Sequence, residues 1–288
     1  MKVLITGGSG YIGQATIRAL RRRGHEVTAL VRSDAAAGIV ADLRAAPVQG
    51  GLGDLEVLRR AAAAADGAIH LAQVRGPETA DIDHKAATAI QDGIGSGPYV
   101  HTGGTWVYGS TAGVVDESAP LAPPPLVAWR QQNEEQVLDR AAVGGHPVLV
   151  MPGVVYGAGA GLVEQFFIAP ARNRGSVRYI GDGTNHWSLV HVDDIAELYA
   201  LALGAPAGAV YAGVGEYRLT VADLLPALCA AAGCPGRTES MSLADARAEL
   251  GPIADAFALD QQVSGARARA ELGWNPPERD VPAELARG

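Results

Sequence analysis

The 288 residues carry 23 Lys and Arg against 31 Asp and Glu, a formal net charge of −8. Basic residues are scattered except at Arg21, Arg22 and Arg23, so the concentrated positive surface needed by a phosphate backbone is missing and nucleic acid is excluded as a partner. The composition, 48% apolar and 19% charged, is that of an ordinary globular protein, and no uncharged apolar run reaches the roughly 18 residues of a membrane span.

A chain of this length buries one large core, or a nucleotide-binding body with a small appended lobe. The opening MKVLITGG has neither the basic n-region nor the apolar h-region of a signal peptide and reads as a strand. A cytoplasmic location with reduced thiols is therefore expected. Cys229 and Cys234 have no second Cys/His pair at metal spacing, so no metal site is expected, and Cys229 in LLPALCAAAG reads as core. The arginine triplet precedes Gly24 and reads as a helix C-terminus, where positive charge offsets the helix dipole.

In chain order the apolar runs predict strands at residues 2–5, 26–31, 47–50, 68–71, 99–102 and 147–151. Helical patterns fall between them at 11–23, 55–65, 80–93 and 126–143. Continuous Val/Ile/Leu strands alternating with helices imply right-handed crossovers and an α/β, Rossmann-type, doubly wound parallel sheet. Beyond Pro152 the rhythm changes to short strands (VRYIG, SLVHV, AVYAGVG) and helices at 192–203, 221–232, 243–250 and 267–272. No linker separates this part. The expectation is a single domain over 1–288, with 1–157 mainly binding a dinucleotide and 158–288 forming most of a small C-terminal α/β substrate lobe.

The turn between the first strand and first helix reads TGGSGYIG. Glycines there let the backbone bend tightly and let a pyrophosphate approach the helix N-terminus, which makes Gly7, Ser9, Gly10, Tyr11 and Ile12 candidate cofactor residues. The segment resembles the T-G-G-x-G-x-x-G fingerprint of the extended and atypical short-chain dehydrogenases/reductases, which include sugar-nucleotide epimerases and dehydratases. Five further segments resemble the family in order. Gly53-Asp54-Leu55 is similar to its G-D-L, which implies that Asp54 and Leu55 border the adenine. His70-Leu71-Ala72-Gln73 is similar to H-L-A-A, implying that Leu71, Ala72 and Gln73 line the cofactor. Pro152-Gly153-Val154-Val155-Tyr156-Gly157 resembles R-P-x-x-V-Y-G, placing Pro152, Gly153 and Val155 beside the nicotinamide. The run from Trp187 to Asp194 resembles the V-H-V-D-D region, and Leu272-Gly273-Trp274 a terminal L-G-W. The resemblance also implies dimerisation through helices flanking the central strands.

The second strand should end over the adenosine ribose, where an acid would favour NAD. Arg32 stands there instead, and a guanidinium pairs with phosphate, so NADP(H) is expected, with NAD(H) the other choice. The resemblance implies a Ser/Thr after the fifth strand and a Tyr-x-x-x-Lys on the next helix, whose tyrosinate and lysine transfer the proton and hold the nicotinamide ribose. Here Thr102-Gly103-Gly104-Thr105-Trp106-Val107-Tyr108-Gly109 follows the strand, with Thr102 and Thr105 as hydroxyl candidates and Thr102 also beside the cofactor. Anchoring the helix on Glu135-Gln136-Val137-Leu138 puts Val127 and Gln131 at the dyad positions; counting from Tyr108 puts Trp129 and Asn133 there. Neither frame has a Tyr or Lys.

Candidate catalytic residues are therefore Thr102, Thr105, Tyr108 and Tyr156, with Gln131 at the cofactor. Trp106, Trp129, Arg130, Tyr156 and His186 are candidates for the pocket of a small-molecule substrate. An aspartate of the Asp193-Asp194 pair is expected to cap the helix at 192–203. The function this implies is NADP(H)-dependent hydride transfer to a carbonyl, imine or activated alkene. A silent dinucleotide-binding regulator and a sugar-nucleotide epimerase or dehydratase are the alternatives.

Overall fold

The structure is a computed structural model that describes residues 1–287. Strand and helix alternate from the start: β1 (Lys2–Thr6), α1 (Tyr11–Arg22), β2 (Glu26–Val31), α2 (Asp34–Asp42), β3 (Ala46–Gln49), α3 (Leu55–Ala63), β4 (Gly67–His70), α4 (Thr79–Ile94) and β5 (Pro98–Thr102). A short β6 (Val114–Val115), α5 (Trp129–Asp139) and β7 (His146–Pro152) follow. The remaining strands are β8 (Val154–Tyr156), β9 (Val177–Ile180), β10 (Leu189–His191), β11 (Ala209–Gly213), β12 (Thr238–Met241) and β13 (Gln262–Val263).

Seven strands form one sheet in the order β3-β2-β1-β4-β5-β7-β11. Every pairing in it is parallel, and Ile5 sits in register between Ala29 and Ile69. The doubly wound α/β expectation holds. Strand order reverses between β1 and β4, and such a switch point opens a ligand crevice above the carboxyl ends of the strands. Helix α1 covers one face by burying Ala15, Ile17, Ala19 and Leu20. At its end Arg22 and Arg23 pair with Glu197, 2.5 and 2.9 Å away on the neighbouring helix Val192–Ala202. Two arginines of the triplet thus join two helices as well as offsetting a dipole.

The other strands pair as β8–β10, β9–β12 and β6–β13. Beyond them a second apolar cluster gathers Phe167, Trp187 and Phe257, with Phe167 and Phe257 edge to face at 4.9 Å between centroids. Both cysteines are free and buried. Among the described residues no helix is long and apolar enough to cross a membrane.

Three local expectations are corrected. Helix α2 is absent from the sequence reading because DAAAGIVAD buries only Val40; Ser33 starts it by accepting the Ala36 amide at 3.3 Å. The helix expected at 126–143 is α5, eleven residues long, entered by a turn and left through a 3₁₀ turn that ends on Gly144 at φ +88°. No aspartate caps Val192–Ala202. His191 does so through Nδ1, which accepts the Asp193 amide at 3.2 Å, while Asp194 turns inward to the Arg279 guanidinium at 2.8 and 2.9 Å.

Candidate active site

The glycine turn follows β1 at the switch point. Gly7 has φ +71°, and a Cβ there would lie 2.8 Å from the Ala72 nitrogen. A Cβ on Gly13 would lie 2.0 Å from the Gly7 carbonyl oxygen, so only glycine lets α1 start this close to the strand. Gly10 is the N-cap of α1, no side chain caps it, and the first turn holds no acid. Its amides and the positive end of its dipole are left facing the crevice, which fits a pyrophosphate. Ile12 packs on the core, and the Ser9 carbonyl accepts from Gln14 at 3.0 Å. The Tyr11 hydroxyl donates to the Gly157 carbonyl at 2.7 Å, and burial holds its phenol well above the usual range.

Arg32 is exposed at the carboxyl end of β2 and forms no ion pair among the described residues. Nearby, Asp54 Oδ2 accepts the Gly51 amide at 2.6 Å, which fixes the loop leading to half-buried Leu55 and α3. After β4, Leu71 and Ala72 are half-buried and Gln73 is exposed.

Beneath the turn lies a buried polar chain that the sequence reading missed. Thr6 Oγ1 lies 2.6 Å from His70 Nδ1 and accepts the Ala72 amide at 3.2 Å. Asp83 on α4 faces both His70 Nε2 (3.5 Å) and His101 Nε2 (3.7 Å), and it accepts from Asn133 at 3.0 Å. His101 Nδ1 lies 2.8 Å from the Tyr99 hydroxyl. The two imidazoles and Asn133 hold the Asp83 carboxyl well below its usual range against the opposing effect of burial, and burial holds His101 well below the usual imidazole range. A signal existed: Asp83 shares the α4 stripe of Ala86, Ala87 and Ile90, where an acid would be costly without partners.

At the end of β5, helix α5 turns Arg130, Asn133, Glu134 and Val137 inward. Arg130 donates to the Thr102 carbonyl at 2.9 Å and to Gln73 Oε1 at 3.1 Å, and its guanidinium stacks on Trp129 at 4.7 Å. It thereby bridges the carboxyl ends of β4 and β5. Glu134 was not anticipated, because an acid on a polar helix reads as solvated. Its carboxyl is buried, and burial, aided by Asp83 and opposed by Arg130, pushes it up to about 7. Gln131 lies on the solvent side of α5 with Glu135 as its hydrogen-bond partner, since the helical period that turns Arg130 and Glu134 inward turns Gln131 out.

Several candidates are deeply buried. Tyr108 is 3% exposed with its hydroxyl against Met151 Sδ at 3.4 Å, and burial raises its pKa. Tyr156 has no exposed surface, meets His191 edge to face at 5.3 Å, and is likewise raised by burial. The Thr102 hydroxyl is sealed inside without a partner, Thr105 is 1% exposed, and Val155 packs in the main core. Pro152 and Gly153 stay half-buried at the end of β7. Among the substrate candidates, Trp129 joins Arg130, whereas Trp106 packs its edge on Phe257 at 5.6 Å. His186 binds Asp260, which accepts its Nδ1 at 2.8 Å and its amide at 2.9 Å.

The model of the NAD dependent epimerase/dehydratase family matches residues 3–213. An uncharacterized protein of Schizosaccharomyces pombe is 32% identical over 99% of this chain and 98% of its own length. A 4-hydroxy-2-methyl-3-oxo-4-farnesyl-3,4-dihydroquinoline-1-oxide ketoreductase of Stigmatella aurantiaca is 32% identical over 73% of this chain and 67% of its own. In fold, the chain is similar to the dTDP-glucose 4,6-dehydratase DesIV of Streptomyces venezuelae with NAD and TYD bound, at a TM-score of 0.81, 24% identity, 100% of this chain and 95% of that one. The glycine turn at the switch point, its open helix N-terminus and these similarities agree: the chain belongs to the NAD-dependent epimerase/dehydratase family and is an NAD(P)-dependent enzyme.

Proposed function

We propose that the protein is an NADP(H)-dependent reductase that acts on a carbonyl, or on an imine or activated alkene, of a small or medium organic molecule without a Tyr/Lys pair. The observation that carries the cofactor choice is Arg32, exposed and without an ion pair among the described residues at the end of β2. A guanidinium makes paired, charge-assisted contacts to phosphate, and no acid stands at that position to repel one. The name of the Stigmatella relative, a ketoreductase, supports the carbonyl class.

In this reading the Gly7–Gly10 backbone holds the pyrophosphate and Arg32 the 2′-phosphate. Asp54 and Leu55 border the adenine. Leu71, Ala72, Gln73, Pro152 and Gly153 shape the nicotinamide end, which Arg130 closes from α5. When bound, the nicotinamide supplies or accepts a hydride. The chain's own residues bind and orient: Trp129 offers apolar surface to the substrate, and the Arg130 charge favours negative charge developing on its oxygen.

Fluorescence titration with NADPH and NADH, followed by NADPH oxidation with a panel of ketones, tests this. Tighter NADPH binding and turnover of a ketone are expected. A twentyfold or greater preference for NADH would falsify the cofactor assignment. Binding with no turnover of any substrate would replace the reductase with a dinucleotide sensor, and turnover of a sugar nucleotide would replace it with an epimerase or dehydratase.

A further inference from the structure

Helix α5 brings one more group to the end of β5. Glu134 stands one helical turn after Arg130, its side chain 6% exposed, and its Oε1 is buried without a hydrogen-bond partner. The cation closest to hand is Arg130 Nη1, 3.9 Å from Oε1. That guanidinium already donates to the Thr102 carbonyl and to Gln73, so it stands by Glu134 as a charge rather than as a hydrogen-bond donor. An unpaired buried acid costs stability, and Glu134 carries that cost.

Its position is fixed against Gly103, the residue that follows β5. A Cβ on Gly103 would lie 2.8 Å from Glu134 Oε1, so the carboxyl packs directly against the backbone that follows β5. At Gly104, one residue on, the side-chain direction meets no heavy atom within 4 Å and opens on empty space. The charged and titratable groups facing Glu134 are Arg130 on its own helix, Asp83 on α4 and Tyr108 in the turn after β5. From β7, Leu149 and Met151 close on the same spot at Gly103 and are apolar.

We propose that Glu134 is the catalytic proton donor of this site, with Arg130 as the charge that receives its carboxylate; this rests on the reductase reading above. The substrate carbonyl carbon gains a hydride from a reduced nicotinamide dinucleotide, which is oxidised. The C=O π pair moves to oxygen, and that oxygen takes the Glu134 proton. The carboxylate left behind faces Arg130 until solvent reprotonates it. Burial supports the assignment by keeping the carboxyl protonated up to about neutral pH, the range in which a general acid is most effective.

The test has a spectroscopic arm and a kinetic arm. Infrared spectroscopy of the protein without cofactor should show a protonated-carboxyl band that titrates near neutral pH and is missing from Glu134→Gln. With a reduced ketone in hand, Glu134→Gln should lower kcat by about 10²–10⁴-fold, with Glu134→Asp restoring part of it. NADPH affinity should change little. The wild-type kcat for reduction should fall as pH rises above 7, because the carboxyl loses the proton it donates. Absence of the band from the wild-type protein overturns the proposal, even where no ketone is turned over and the reductase reading has failed on its own account. So does a Glu134→Gln enzyme with wild-type kcat and pH profile. If Glu134→Gln does not fold, Glu134→Asp and the wild-type pH profile carry the kinetic arm, and a profile flat through neutrality overturns it.

Discussion

The hydroxyl oxygen of Thr6 stands 2.6 Å from Nδ1 of His70, which joins the last residue of β1 to the last residue of β4. The same oxygen accepts the Ala72 amide, and Ala72 is what a Cβ on Gly7 would strike. The switch point is therefore held from beneath by one side chain. Thr6→Val keeps the shape but leaves His70 and the Ala72 amide unpaired. Its cost should be about 1–3 kcal/mol in urea unfolding, with dinucleotide affinity falling alongside. A wild-type midpoint would show that the hydroxyl is dispensable.

Arg32 separates the two dinucleotides. Arg32→Gln keeps a long polar side chain and removes the charge. Loss of a charge-assisted phosphate contact worth about 1.5–3 kcal/mol should weaken NADPH binding by roughly ten- to a hundredfold. NADH binding should barely change. Equal losses for the two cofactors would mean that Arg32 acts on the adenine or on the fold.

Two glycines should respond oppositely to the same methyl group. Gly13→Ala drives a Cβ to 2.0 Å from the Gly7 carbonyl, backbone against backbone, so the turn must open. Overpacking of this kind costs about 1–3 kcal/mol or more and should abolish dinucleotide binding. Gly104→Ala meets nothing within 4 Å and has an extended φ of 179°, so its thermal midpoint should match wild type. Thermal melts with and without NADPH read both.

Stability should depend on pH through two buried groups of opposite sign. His101 stays neutral when folded, because burial lowers its pKa from 6.5, while the unfolded chain binds the proton. Its contribution is lost as pH falls below 6.5, and His101→Asn should flatten that acid limb. Glu134 is raised from 4.5 to about 7, so its contribution is full below 4.5 and is lost as pH rises through about 7. Glu134→Gln should therefore gain stability relative to wild type on going from acid to neutral pH. Urea midpoints across the range check both slopes, and a relative loss for Glu134→Gln would reverse the sign assigned to the carboxyl.

Periodicity and turn chemistry made much of this protein legible without coordinates. Strands buried on both faces must be largely apolar runs, and β1, β2, β4 and β7 are. The turn at Gly7, Gly10 and Gly13 is read from residue type alone, because only glycine tolerates both the positive φ and the close approach. Arg32 is placed by its position one residue after a strand. These are local properties, and sequence determines them.

The chemistry of α5 is not local. Which face of a short polar helix turns inward is settled by what it packs against. Here that is α4 and the end of β5, so Gln131, a candidate by alignment, lies in solvent and Glu134 lies inside. Tyr108 and Tyr156 carry attractive functional groups, yet the sheet and its second core enclose them. Asp83 meets His70, His101 and Asn133 only because β4, β5, α4 and α5 converge beneath the switch point. Sequence by itself thus determined the fold class and the phosphate-binding turn, since backbone conformation and strand burial follow from nearby residues. Tertiary structure alone decided which buried groups face one another, because a carboxyl's charge depends on partners that lie far away along the chain.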